Sequence, residues 1–381
     1  MRLKRIWCVI LSIALATLMV LALLPRLDTL HAAAQGRGVM RPLTADGVSR
    51  FAGWSPDGRT VLVNRWGAVV GDGATRQALS ELWAVDARGG SATRLSENAL
   101  QPAYTADGRQ LAYLAFVGNG CWEAHVLDLA SGQERSWGSA DWRMKPVWIG
   151  ETLAFAHEGK VWLSSEGVMA MTTLVPTLPT EARIRVSAHG ACIAWTDGTH
   201  LWAARADGVG NKEPRLLAAD TQVLSFAWSP NERRLAYIVA AESPSPELWV
   251  VDLEVDKAPL LLVQGQMELF SMPSWSPDGR TLAFSRTPLG AETASASDIW
   301  MVRADGGNLR PVLVNDTEGS SPAWSPDGRY LAFNRAGDVW VLDLARPLPS
   351  PPPRGEGGER EKEHPLYAAV SPPPRRGKGQ G

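Results

Sequence analysis

Seven carboxylates recur at one place in the pattern of this 381-residue chain. Asp46, Glu97, Asp141, Glu181, Asp220, Glu268 and Glu318 each stand five to eight residues ahead of a residue that opens a short apolar run: Trp54, Tyr104, Trp148, Val186, Trp228, Trp275 and Trp324. Carboxylates gathered at one mouth of a channel would focus a negative potential suited to a cation or a basic peptide segment. Loops rich in turn residues also favour Asp and Glu, and the competing expectation is that these side chains fan out into solvent. Arg65, Arg286 and Arg335 recur as well, each just past an apolar run, where a guanidinium pairs with a carboxylate or bonds a loop carbonyl. The candidate ligand-binding set is therefore Asp46, Glu97, Asp141, Asp220, Glu268 and Glu318 with Arg65, Arg286 and Arg335.

No catalytic set, metal site or cofactor is expected. His125, His157, His189 and His200 are scattered over three units without metal-ligand spacing, while His31 and His364 lie near the two ends. Gly-rich phosphate loops, calcium loops and His-Glu-x-x-His helices are missing from the sequence. The primary expectation is a binding module rather than an enzyme. The alternative is a hydrolase or lyase with a site assembled from dispersed residues at the channel mouth.

The elements that must position these groups come from a repeat. WSPDGRTVLVNR from Trp54, WSPDGRTLAFSR from Trp275 and WSPDGRYLAFNR from Trp324 are nearly identical, and fainter copies open at Tyr104, Trp148, Val186 and Trp228. Trp54 and Trp324 are 270 residues apart over six intervals, a mean period of 45, which is the length of a four-stranded propeller blade. In each unit Ser-Pro-Asp-Gly forms a tight turn, because Pro presets φ and Gly takes the positive φ that ends it. An apolar second strand follows, such as Leu282-Ala283-Phe284. The third strand carries Trp83, Trp162, Trp202, Trp249, Trp300 or Trp340, with His125 in the second unit, and these rings are expected to fill the wedge between blades.

The fourth strands are read at 93–95, 135–137, 173–175, 215–217, 260–262 and 311–313, and the seventh unit has none. Met40 to Thr44 resembles an orphan fourth strand. The expected fold is an all-β, seven-bladed propeller of four-stranded antiparallel blades, closed by the N-terminal strand, with six blades as the alternative. Longer loops are read at 66–80 and 287–297 and are candidates for a specific contact surface.

Residues 1–34 read as a signal peptide or an N-terminal membrane anchor: Arg2, Lys4 and Arg5 precede an apolar stretch from Ile6 to Leu24. Either outcome places the domain outside the cytoplasm: periplasmic, on the cell surface or secreted. Residues 38–346 form the propeller, and 347–381 are a disordered Pro/Gly/charged tail. A net charge of −2 argues against nucleic acid as a partner. Cys121 and Cys192, in non-adjacent units, are expected to stay unpaired and at least partly buried. The expected partner is a protein or peptide, with a glycan as the other option, and the expected state is a monomer.

Trp-Ser-Pro-Asp-Gly-Arg followed by Leu-Ala-Phe, then an Ile-Trp strand and an Ala-Asp-Gly turn as in Asp298 to Gly306, resembles the repeats of TolB-type β-propellers over about residues 38 to 346. The resemblance implies an extracytoplasmic propeller that binds protein, peptide or glycan. Related repeats build the propellers of prolyl oligopeptidase and dipeptidyl peptidase enzymes, but their Gly-x-Ser-x-Gly nucleophile motif and hydrolase domain are missing here. TolB itself has a small α/β domain ahead of six blades, so the expectation is a TolB-type repeat protein and not TolB.

Overall fold

The Ser-Pro-Asp-Gly segments turn back on themselves because their own side chains close each turn. In the computed structural model, which describes residues 40–70, 77–142, 144–158, 160–165, 168–171, 183–188, 190–205, 214–240, 245–255, 257–289, 297–312 and 319–344, the Gly58 N–H donates to the Ser55 carbonyl at 2.9 Å. The Ser55 hydroxyl donates to Asp57 at 2.6 Å and accepts from the Thr60 N–H, and Asp57 accepts from the Arg59 N–H. The same three bonds recur at Ser276, Asp278 and Thr281, and at Ser325, Asp327 and Tyr330. The serine hydroxyl holds the Asp57 and Asp278 carboxyls below their ordinary range. Gly58, Gly108, Gly279 and Gly328 take the left-handed φ of 65° to 72° that ends the turn.

Twenty-eight strands follow, numbered β1 to β28 in chain order, with β1 (Met40–Pro42) first. Blade 1 is β2 (Ser49–Trp54), β3 (Thr60–Val70), β4 (Gln77–Asp86) and β5 (Ala92–Ser96). Blade 2 is β6 (Ala99–Tyr104), β7 (Gln110–Gly118), β8 (Cys121–Asp128) and β9 (Glu134–Ala140). Blade 3 is β10 (Val147–Ile149), β11 (Thr152–His157), β12 (Lys160–Ser165) and β13 (Val168–Met171). Blade 4 is β14 (Arg183–Val186), β15 (Cys192–Thr196), β16 (Leu201–Arg205) and β17 (Arg215–Ala218). Blade 5 is β18 (Gln222–Trp228), β19 (Arg234–Ala240), β20 (Pro246–Asp252) and β21 (Leu260–Gln264). Blade 6 is β22 (Glu268–Trp275), β23 (Thr281–Pro288), β24 (Asp298–Arg303) and β25 (Arg310–Pro311). Blade 7 is β26 (Ser320–Trp324), β27 (Tyr330–Arg335) and β28 (Asp338–Asp343), with β1 as its fourth strand.

All seven sheets are antiparallel and four-stranded, as the period requires. Successive first strands pack on one another, β2 on β6, β14 on β18, β18 on β22 and β22 on β26, so the first strands line the central channel. Second strands are buried on both faces: Leu111 to Leu114, Leu153 to Phe155 and Leu331 to Phe333 have no exposed surface. The third-strand tryptophans pack into clusters shared by two adjacent blades: Trp300 into one formed by blades 5 and 6, Trp340 by blades 6 and 7, and Trp83 by blades 7 and 1.

The opening tryptophans do something different. The Trp54 indole N–H donates to the Ala323 carbonyl at 3.1 Å, Trp148 to Ala103, Trp228 to Arg185 and Trp275 to Ala227, each at 3.0 Å. Every acceptor is the residue just before the opening residue of the preceding blade. One indole thus stitches each of these first strands to its neighbour. A second stitch leaves from the end of the second strand: Asn64 donates to the Ala99 carbonyl, Ser285 accepts from the Ser321 N–H, and Asn334 accepts from the Phe51 N–H.

Blade 7 closes the ring. Met40 pairs with Leu342 and Pro42 with Trp340. The Asp338 carboxylate then accepts from Thr44 Oγ1 (2.9 Å), the Asp46 N–H (2.8 Å) and the Gly47 N–H (3.1 Å), while Thr44 Oγ1 accepts from the Val339 N–H. A Cβ on Gly337 would lie 2.2 Å from the Gly47 carbonyl oxygen, so glycine is required at this latch.

Four local expectations change. The fourth strand of blade 3 is Val168–Met171 rather than 173–175, because β12 and β13 meet through a tight hairpin with Ser165 opposite Val168; residues 173–175 lie outside the described residues. The segment read as a loop at 66–80 extends β3 and β4, with Trp66 opposite Ser80 and a bulge beyond it. The segment at 287–297 begins as the end of β23, and most of the rest lies outside the described residues. Cys121 is exposed, since it sits at a hairpin tip, whereas Cys192 is buried; neither is in a disulfide. Residues 1–34 and 347–381 also lie outside the described residues, among which no helix is long and apolar enough to cross a membrane.

Two predictions follow from the stitching and the latch. Trp275→Phe keeps the ring but deletes the donor to Ala227, and it is expected to cost about 1 kcal/mol in urea unfolding. Asp338→Ala strands three donors and is expected to cost about 2 kcal/mol; deletion of residues 1–43 should lower the melting temperature further, and an unchanged melt would rule out closure by β1.

Candidate functional site

The ring has two unlike faces. On one, the turn face, lie the Ser-Pro-Asp-Gly turns. On the other, the channel-mouth face, lie the links between blades and the hairpins between second and third strands. The recurring acids and arginines meet on this second face because both belong to its connections.

There they bind each other where both partners are described. Glu268 is buried and receives Arg286 through two bonds, Nε to Oε2 at 2.8 Å and Nη2 to Oε1 at 2.6 Å. The guanidinium of Arg286 stacks at 4.3 Å from the Trp300 ring centre and 5.5 Å from that of Phe270. Asp46 pairs with Arg65 at 3.2 Å and also accepts from the Ser49 hydroxyl and the Val48 N–H. Arg335 stacks at 4.7 Å over Trp340; Glu318, the acid of that blade, lies outside the described residues, as do Glu181 and His189.

The other acids are placed separately. Glu97 is 2.8 Å from Arg94 and largely exposed. Asp220 is 94% exposed, 3.8 Å from His200. Asp141 donates its N–H to the Ala156 carbonyl beside β11. His125 lies between Glu134 and Glu123, and no group of three metal-ligating side chains is found among the described residues.

The channel wall carries the opposite charge. Among the described residues, the first strands contribute Arg50, Arg183 and Arg185 and a single acid, Glu268, which is occupied by Arg286. Lys145 joins them just ahead of β10, where the Met144–Ile184 bridge sets it beside β14. Arg183 and Arg185 flank buried Ile184 on one side of β14, and both are exposed. Lys145 is half-buried, and loss of solvation with repulsion from Arg185 brings its ammonium down to about 8. Burial and the neighbouring Arg183 lower Arg185 in the same way. Arg183 donates to the Leu224 carbonyl at 3.0 Å.

Sequence reasoning passed over these three cations, although a signal was present. Gln101, Lys145, Arg183, Met272 and Ser321 each stand three residues before the opening residue of their blade. At Gln101, Met272 and Ser321 a bulge with left-handed φ of 50° to 54° precedes a proline and marks this position on the first strand.

The channel-mouth face is also the apolar one. Among the described residues, eight of the twelve large hydrophobic side chains that remain exposed lie there. They are Val48, Trp66, Val117 and Trp142 on blades 1 to 3, and Met267, Leu269, Met272 and Leu289 on blade 6. The other four, Leu216, Leu260, Leu261 and Leu309, sit on or beside fourth strands at the outer rim. Both chain ends leave on the turn face, since Met40 pairs with Leu342 and the Leu344 N–H bonds the Arg329 carbonyl beside a turn.

Lys145 makes a pH prediction. Below about pH 8 its charge is carried at the folded state's expense. Between that value and the ordinary lysine range only the unfolded chain holds the proton, so stability from this group rises with pH. Lys145→Met is expected to stabilise the protein at pH 7 and to remove this rise, as read from urea unfolding between pH 7 and 10.

Residues 196–343 match the TolB beta propeller domain. Among solved structures, the β-propeller domain of Cps50 (Swd1) from Myceliophteria thermophila is similar with a TM-score of 0.55 at 16% identity, over 80% of this chain and 100% of that one. The β-propeller domain of the trilobed protease from Pyrococcus furiosus, described as an open velcro topology, gives 0.54 at 11% identity over 78% and 96%. An oligogalacturonate lyase in complex with manganese gives 0.53 at 13% identity over 81% and 93%. These likenesses are of fold. The blade pattern and these likenesses show a seven-bladed β-propeller, of which residues 196–343 match the TolB beta propeller domain.

Proposed function

We propose that this chain is an exported binding module whose channel-mouth face engages a protein partner. The observation that supports it is the distribution of exposed apolar side chains: among the described residues, eight of twelve lie on the channel-mouth face. Isolated exposed hydrophobics are ordinary on a soluble protein, but a set concentrated on one face marks a contact surface. Trp and Met are also side chains that give large, adaptable contact area. The paired acids and arginines fit this reading as supports that fix the loops from which the apolar groups project. Glu97 and Asp220, exposed at the rim, are left for polar contacts with the partner.

The orientation follows from the chain ends. With residues 6–24 acting as an export signal or tether, a tether would leave from the turn face, and the channel mouth would point away from the membrane. In that arrangement the binding face is open to partners in the extracytoplasmic space.

The test is affinity capture with the full chain in mild detergent, using extracts of its source organism and mass spectrometry. Trp142→Ser and Met267→Ser are expected to lose the captured protein, while Arg88→Ser on the turn face retains it. Capture that is indifferent to the first two substitutions, or capture of a glycan alone, would overturn the proposal.

A further inference from the structure

Lys145, Arg183 and Arg185 form a group of cations on the described channel wall, Lys145 half-buried and both arginines exposed. Their geometry is set by backbone: Arg183 and Arg185 are two apart on β14, so both project to the same side, and the Met144–Ile184 bridge brings Lys145 alongside. Arg183 is nearer the mouth and Arg185 deeper, because β14 runs from the channel mouth towards the turn face. Lys145 and Arg185 make no side-chain hydrogen bond or ion pair with any described residue. Arg286 on this same ring is matched by Glu268, whereas these three cations stand beside one another with no carboxylate bonded to them among the described residues. Like charges placed side by side without one leave an electrostatic deficit that an incoming anion would relieve.

We propose that the channel receives a carboxylate-bearing segment of the bound protein, held between Lys145, Arg183 and Arg185, so that the recognised element is an acidic peptide. This rests on the channel-mouth face being the binding face. The planar guanidinium of Arg185 suits two-point recognition of a carboxylate, and Lys145 adds a point charge from the adjoining blade. Met272 and Leu269, exposed on β22 further round the wall, offer apolar contact to the flanking residues of the same segment. The sign of this preference is opposite to that expected from the recurring loop acids, since Asp46 and Glu268 are occupied by Arg65 and Arg286.

The charged group shown to face Lys145 is Arg185, with Arg183 beside it on β14; on β6, Gln101 bonds the Trp142 carbonyl and brings no charge. Protonated Lys145 is the form that holds the anion, so affinity is expected to fall as pH rises past its titration.

The experiment measures binding of fluorescein-labelled hexaglutamate to the full chain in neutral detergent by anisotropy, with hexalysine as the opposite-charge probe. Hexaglutamate is expected to bind at low salt, to weaken roughly tenfold in Lys145→Gln and in Arg185→Gln, and to weaken between pH 7 and 9 in the wild type more than in Lys145→Gln. The double variant Lys145→Glu with Arg185→Glu should reverse the preference towards hexalysine, and melting curves establish that each variant is folded. Hexalysine bound as well as hexaglutamate, or hexaglutamate affinity unchanged in both single variants, would overturn the inference. A captured protein that hexaglutamate does not displace would refute the acidic segment and leave the binding face standing. Hexaglutamate binding with no protein captured would do the reverse.

Discussion

The ring depends on a hydrogen bond from an indole N–H to a backbone carbonyl one blade away. First strands at the inner edge of a propeller have no further strand to pair with on the channel side. The carbonyl before each opening residue would otherwise face a crowded, partly desolvated wedge, and an unpaired buried carbonyl is costly. Trp54, Trp148, Trp228 and Trp275 satisfy that carbonyl and fill the wedge with the same side chain. The Ser-Pro-Asp-Gly turn, held by its own serine and aspartate, then fixes where the tryptophan stands. At Trp54, Trp228 and Trp275 the motif thus folds a blade and joins it to its neighbour, whereas the buried Trp324 indole N–H has no hydrogen-bond partner among the described residues.

Closure has a similar logic on a larger scale. A seventh blade with three strands would leave the edge of β28 bare, and an open ring has two blades with an unpaired flank. Met40 to Pro42 covers the edge, and Asp338 clamps the link behind it through Thr44, Asp46 and Gly47. The direction of β1 against β28 also decides that both chain ends leave on the turn face. A packing requirement at one seam thus sets which face is free for contact.

Charge on the free face is sorted by depth. On the connections, acids and arginines neutralise one another, most tightly at Glu268 and Arg286. In the channel wall of blades 3 and 4, cations stand together where the surrounding protein weakens their solvation, which lowers both Lys145 and Arg185. The same residue types are structural on the connections and available on the wall, and the difference is whether a partner side chain is within reach.

The sequence by itself determined the seven blades, the turn chemistry, the third-strand tryptophans and the role of Met40 to Thr44, because each repeats a local pattern whose period and turn residues leave few alternatives. It also located the acids and arginines on shared connections. What it left undecided was pairing between residues distant in the chain. Asp46 and Glu268 are spoken for by Arg65 and Arg286, 19 and 18 positions on. Lys145 stands beside Arg185 through a bridge between blades. Trp275 bonds a carbonyl 48 residues back. Only closing the ring brings such groups within a few ångströms, and at that range a neighbour's charge or carbonyl decides whether a side chain is structural or free to bind.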